Sequence, residues 1–250
     1  MSKESELRRR RVEFGWLPKV LYRMSMDTGS QERVEKLAQM LTARPELSFV
    51  TYINHISYND PIYPAHIIQR VDPEQTRRII APASYSHTNK GDYRNSALVF
   101  MTEEARRCGV DVIPVIQTYQ IGDPKYGFTE EQARETYKNF VRKLREIKDN
   151  KTPTGCIISP EGHRSEENRL GKAEDGILYM GKQLAPVVYV PVGIWYQGEY
   201  NRNGINLGRR VNLSIGDMVV QETRHDGPTL DTLMHNLALA IPPKMRGEWG

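Results

Sequence analysis

Cysteine is nearly absent from the chain: its 250 residues include two, Cys108 and Cys156. They stand far apart with no ligand spacing around either. That argues against a disulfide framework and for a reducing compartment, the cytoplasm, with both thiols read as small buried hydrophobes. Long apolar runs are missing too. No stretch approaches the roughly 18 residues that a transmembrane helix needs, and the charged N-terminus lacks the apolar core of a signal peptide. Several chemical signatures are also lacking. Without a GxSxG elbow, a serine hydrolase of that type has no nucleophile. Without a GxxxxGK[ST] loop or a GxGxxG fingerprint, nucleotide-driven chemistry and dinucleotide binding are disfavoured. His55, His66, His87 and His163 show no familiar metal-ligand spacing, so no metal is expected. There is no internal repeat, low-complexity tract or linker.

What is present fits a folded domain. Hydrophobic residues make up 38% and charged residues 26%, enough apolar surface for a packed core and too much for global disorder. A net charge of +4 suits anionic partners such as phosphorylated metabolites, lipid headgroups or nucleic acid, without choosing among them. The run Arg8 to Arg11 reads either as a solvated terminus or as a contact for a membrane or nucleic acid.

Short β-rich runs alternate with helix-like stretches. Ser48 to Ile53, Arg78 to Ala81, Val110 to Ile116, Cys156 to Ser159 and Val187 to Ile194 read as strands. Ser96 to Cys108, Glu130 to Lys148 and Gly171 to Leu184 read as helices. This order predicts an α/β fold, a mostly parallel sheet covered by helices. Arg210 to Ile215 alternates apolar and polar and runs into Gly216-Asp217, which reads as an edge strand with a turn. The first 45 residues differ. Apolar positions from Val12 to Met24, and Val34, Leu37, Ala38 and Leu41 after them, follow helical spacing. They predict a small N-terminal helical appendage over residues 1–45, ahead of the main domain at 46–250. Its apolar face either joins the core or lies on a membrane surface, where a tryptophan and arginines suit the headgroup region.

Two segments carry chemistry. Asn54-His55-Ile56-Ser57-Tyr58-Asn59-Asp60-Pro61 directly follows a predicted strand, and Pro61 suits a first helical turn. A histidine at the strand end and an aspartate at the helix start can face each other across a tight turn. A neutral imidazole can take a proton from a hydroxyl, while a carboxylate on its other nitrogen fixes the tautomer and stabilises the imidazolium. Ser159-Pro160-Glu161-Gly162-His163-Arg164-Ser165 also leaves a predicted strand, at the sheet edge where α/β proteins place ligands. Gly162 allows close backbone approach, Glu161 offers an acceptor, and Arg164 a planar fork for phosphate.

An HxxxxD box after an early strand, followed about a hundred residues later by a PEGxRS box, resembles the glycerophospholipid acyltransferases. Tyr189-Val190-Pro191-Val192-Gly193 is similar to that family's late strand with its proline, so the resemblance spans roughly residues 46 to 194. It implies that His55 is the general base and Asp60 its orienting partner. It also implies that Glu161, Gly162 and Ser165 hold the acceptor, that Arg164 meets its phosphate, and that Pro191 shapes the acyl-donor wall. Lys90-Gly91-Asp92-Tyr93-Arg94 is the counterpart of the family's middle box, with Arg94 as its phosphate-gripping arginine; this stretch is more polar than the family norm. His163 stands where the family has threonine, and Ser159 where it has an aromatic. The implied activity moves a fatty acyl group from acyl-coenzyme A or acyl-carrier protein to a hydroxyl of glycerol 3-phosphate or a lysophospholipid. It needs no metal or other cofactor and no covalent enzyme intermediate. The implied setting is cytoplasmic, peripheral to a membrane surface, with no nucleic acid partner expected. The competing reading is a non-catalytic lipid- or nucleic-acid-binding module on the same scaffold.

Overall fold

The computed structural model describes residues 21–74, 76–85, 99, 102–103, 105–106, 109–165, 167–204 and 206–250. Among the described residues, eight strands and five α-helices follow the hydrophobic pattern. The strands are β1 (Arg23–Met26), β2 (Ser48–Ile53), β3 (Arg78–Ser84), β4 (Val110–Val115), β5 (Thr154–Ile158), β6 (Val187–Tyr196), β7 (Arg210–Ile215) and β8 (Val219–Gln221). The helices are α1 (Thr28–Ala43), α2 (Tyr63–Val71), α3 (Glu130–Asp149), α4 (Gly176–Leu184) and α5 (Leu230–Leu239). The starts of α1, α3 and α5 are marked by capping side chains. Asp27 accepts from the Ser30 amide at α1, and Thr129 with Gln132 forms a reciprocal capping box at α3, each satisfying amide donors that the first turn leaves unpaired.

The strands form one sheet in the order β1-β7-β6-β2-β5-β3-β4, with β8 also on β6. The β1–β7, β6–β2, β2–β5, β5–β3 and β3–β4 pairings are parallel. β7 and β8 pair antiparallel with the two halves of the long strand β6. The sheet is thus mostly parallel and packed with helices, the α/β fold that the sequence predicts.

Both faces are covered, which is why β2 is buried at all six positions rather than alternating. Val50 and Tyr52 point to one side, where Phe140, Leu144 and Ile147 of α3, Ile177 and Met180 of α4 and Leu233 and Leu237 of α5 pack. Phe49 and Ile53 point to the other, against Val34, Leu37 and Leu41 of α1 and Ile67 and Val71 of α2. The apolar stripe of Gln31 to Leu41 therefore joins the core. Met24 belongs to strand β1 rather than to a helix, and residues 12–20 lie outside the described residues. Arg210 to Ile215 is a strand as expected but not an edge strand, because β1 pairs with its outer side. The predicted helix at Ser96 to Cys108 also lies largely outside the described residues. Among the described residues, no helix is long and apolar enough to cross a membrane.

Buried Arg77 ties α1 to the sheet. Its Nη2 donates to the Leu41, Arg44 and Pro45 carbonyls at the end of α1, and its Nε to Leu47 O just ahead of β2. The Asp72 carboxylate lies 3.5 Å away. A buried charge is tolerated because its donors are satisfied by these carbonyls and by the carboxylate beside it.

Candidate functional site

Strands β6, β2 and β5 are adjacent and parallel, so their carboxyl ends open on the same edge of the sheet. Tyr52 on β2 is level with Ile158 on β5 and Pro191 on β6. His55 and Glu161 each follow three residues beyond that level, so the topology brings the two boxes together. Asn54 manages the exit of the chain from β2. Its side-chain amide donates to Ile194 O at 2.8 Å and accepts from Ile194 N at 2.7 Å, continuing the ladder to β6 after the backbone has left it.

The next turn is organised by Asp60, which is fully buried. Its Oδ2 accepts the Ile56 and Ser57 amides at 2.5 and 2.6 Å, and its Oδ1 accepts the Ser57 hydroxyl at 2.6 Å. Oδ2 also lies 3.1 Å from His55 Nδ1. With an acceptor carboxylate beside it, Nδ1 carries the ring proton and Nε2 keeps the lone pair. The His55 side chain is 16% exposed, so this base is reachable from solvent.

The second box grips the histidine backbone. The buried Glu161 accepts the His55 amide on Oε2 at 3.1 Å and the Gly171 amide on Oε1 at 2.9 Å. The Ser165 amide donates to His55 O at 2.7 Å. Burial pushes the Glu161 carboxyl up to about 7, with Asp60's charge adding to the rise and the two amides opposing it. The Ser165 hydroxyl closes its own loop through Arg169, donating to the carbonyl and accepting from the amide. Both oxygens of Glu161 and the polar atoms of Ser165 are thus engaged with backbone, an arrangement that fixes where His55 stands. Gly162 sits at φ +68°, a left-handed turn that favours glycine, and a Cβ there would come within 3.2 Å of Gln117 Oε1.

Arg164 extends over the first box. Its guanidinium lies 3.8 Å from the centre of the Tyr58 ring, and Nη1 donates to Arg202 O and Asn203 Oδ1. Arg202 reciprocates through Nη2 to Arg164 O. Pro191 is buried within β6, three residues short of the His55 level, where its ring faces Gly216. Arg94, with the rest of Lys90 to Arg94, lies outside the described residues. Among the described residues, no three His, Cys, Asp or Glu side chains gather as a metal site.

No family model and no curated protein matches the chain. Sequence reasoning missed the groups contributed from a distance: Tyr196 at the end of β6, Tyr63 at the start of α2, and the loop bearing Arg202 and Asn203. Tyr63 lies three residues past Asp60, so its nearness was available as a helical spacing. The others have no local signal.

Proposed function

We propose that this protein is an O-acyltransferase that moves a fatty acyl group from an acyl thioester to a hydroxyl, with glycerol 3-phosphate or a lysophospholipid as the acceptor. The observation that supports it most is a solvent-reachable histidine at the carboxyl edge of the sheet, its Nδ1 on a buried, acceptor-only Asp60. In this reading Nε2 of His55 takes the acceptor's proton as its oxygen attacks the thioester carbonyl. Asp60 stabilises the imidazolium that results. Collapse of the tetrahedral species breaks the carbon–sulfur bond, and the imidazolium returns the proton to the leaving thiolate. Arg164, already stacked on Tyr58 of the first box, is the group that would meet an acceptor phosphate. Glu161 and Ser165 serve by holding His55 in place.

The test is thiol release from acyl-coenzyme A and acyl-carrier protein, each with and without glycerol 3-phosphate, lysophosphatidate or simple alcohols. Release that depends on one acceptor supports the proposal and names that acceptor. A folded protein silent with every pair contradicts it.

A further inference from the structure

Beyond the histidine–aspartate pair, the turn holds a chain of hydroxyls whose direction can be deduced. Ser57 Oγ is 2.6 Å from Asp60 Oδ1 and 2.8 Å from Tyr196 Oη, and Tyr196 Oη is 2.7 Å from Tyr63 Oη. Each hydroxyl has one proton to donate. A carboxylate oxygen can only accept, so the Ser57 proton is committed to Asp60. The Ser57–Tyr196 bond must then be donated by Tyr196, and the Tyr196–Tyr63 bond by Tyr63. Three O–H dipoles therefore run head to tail into the carboxylate, each polarising the next. The residues come from three elements: Ser57 from the turn, Tyr196 from the end of β6 and Tyr63 from the start of α2. Ser57 and Tyr63 are fully buried. Burial first, with Asp60's charge contributing, pushes the Tyr63 and Tyr196 phenols well above their ordinary range, so both stay protonated as donors.

We propose that Ser57, Tyr196 and Tyr63 are positioning residues that set the basicity of His55 through Asp60. This rests on the reading of His55 as a base but not on the identity of the substrate. The hydroxyl chain and the imidazole share one carboxylate. The more of its charge the hydroxyls neutralise, the less is left to hold the imidazolium.

The surrounding groups are the same in every variant that tests this. Glu161 faces from the loop after β5; Tyr22 and Tyr200 sense Asp60's charge from the start of the described chain and from beyond β6. Arg164 stacks on Tyr58, and Arg202 acts on Tyr200. Glu161 titrates at about 7, so only differences between variants are informative.

The experiment is a proton NMR titration of the histidine ring in wild type, Ser57→Ala, Tyr196→Phe and the double variant, with the His55 signal assigned by its loss in His55→Gln. No substrate is needed, so failure of the acyltransferase reading leaves this test standing. Ser57→Ala should raise the His55 midpoint by about half a pH unit, and Tyr196→Phe should raise it by less. The double variant should match Ser57→Ala alone, because Tyr196 acts through Ser57. In an active enzyme, the acid limb of kcat/KM should move the same way, with the KM for the thioester unchanged. A purely structural role would lower stability and leave the midpoint in place. An unmoved midpoint in folded Tyr196→Phe, or additive shifts in the double variant, overturns the proposal.

Discussion

Glu161 is nearly inaccessible, at 4% exposure, and replacing it by glutamine separates its charge from its shape. The folded protein holds its carboxyl at about 7 against an ordinary 4.5, chiefly because burial penalises the ionised form. Between those values the folded state binds one proton more than the unfolded chain, so stability falls as pH rises through the window. At about 1.4 kcal/mol per pH unit, the whole rise is on the order of 3 kcal/mol. Glutamine cannot titrate, and Glu161→Gln removes this dependence. The carboxamide has one acceptor oxygen for two amides, those of His55 and Gly171, so the variant also carries a pH-independent cost of about 1–3 kcal/mol. Urea unfolding of both proteins from pH 4.5 to 8 separates the two effects. The stability of wild type minus that of the variant should fall by about 3 kcal/mol across the range, with most of the change between pH 5 and 7.5. A flat difference would refute the claim that burial holds this carboxyl protonated near neutrality.

Two further outcomes follow, one from a buried contact and one from the charge of the sequence. Arg77→Met should destabilise the protein by about 3–5 kcal/mol, because it takes the counter-charge from the buried Asp72 carboxylate, which Thr76 and the residue 77 amide still hold, and removes the donor to the carbonyls at the end of α1; chemical denaturation measures it, and a loss below about 1 kcal/mol would show the contacts to be dispensable. Deleting residues 1–20, with the basic run Arg8 to Arg11, should abolish sedimentation with anionic liposomes at low salt; equal binding by both forms would reject this segment as the membrane contact.

Much of the sheet was legible because strand runs are short, apolar and separated by long helical stretches. Ser48–Ile53 and Arg210–Ile215 coincide with β2 and β7 to the residue. The error at β7 is instructive. Alternation reports that one face of a strand is buried, as at Val211, Leu213 and Ile215, and says nothing about its lateral neighbours. That neighbour, β1, is four residues long and follows apolar positions at helical spacing, so pairing with β7 overrode the local pattern. In the candidate site, the nearness of His55 to Asp60 was legible because both lie in the one turn that leaves β2, and Glu161 stands three residues past the end of the neighbouring strand β5. The actual partners of Glu161 were not, since a backbone amide has no letter in the sequence. Tyr196 was invisible for another reason: it reaches Ser57 only because β6 and β2 are neighbours.

The proposed role of His55, a base on the acceptor hydroxyl, can be measured by acceptor-dependent thiol release from wild type beside His55→Ala. The substitution removes the ring, while the backbone remains held by Glu161 and Ser165 and Asp60 keeps its other three donors, so the variant should fold. The rate should fall by roughly 10²–10⁴-fold in a variant whose circular dichroism matches wild type. Unchanged release from that folded variant would contradict it.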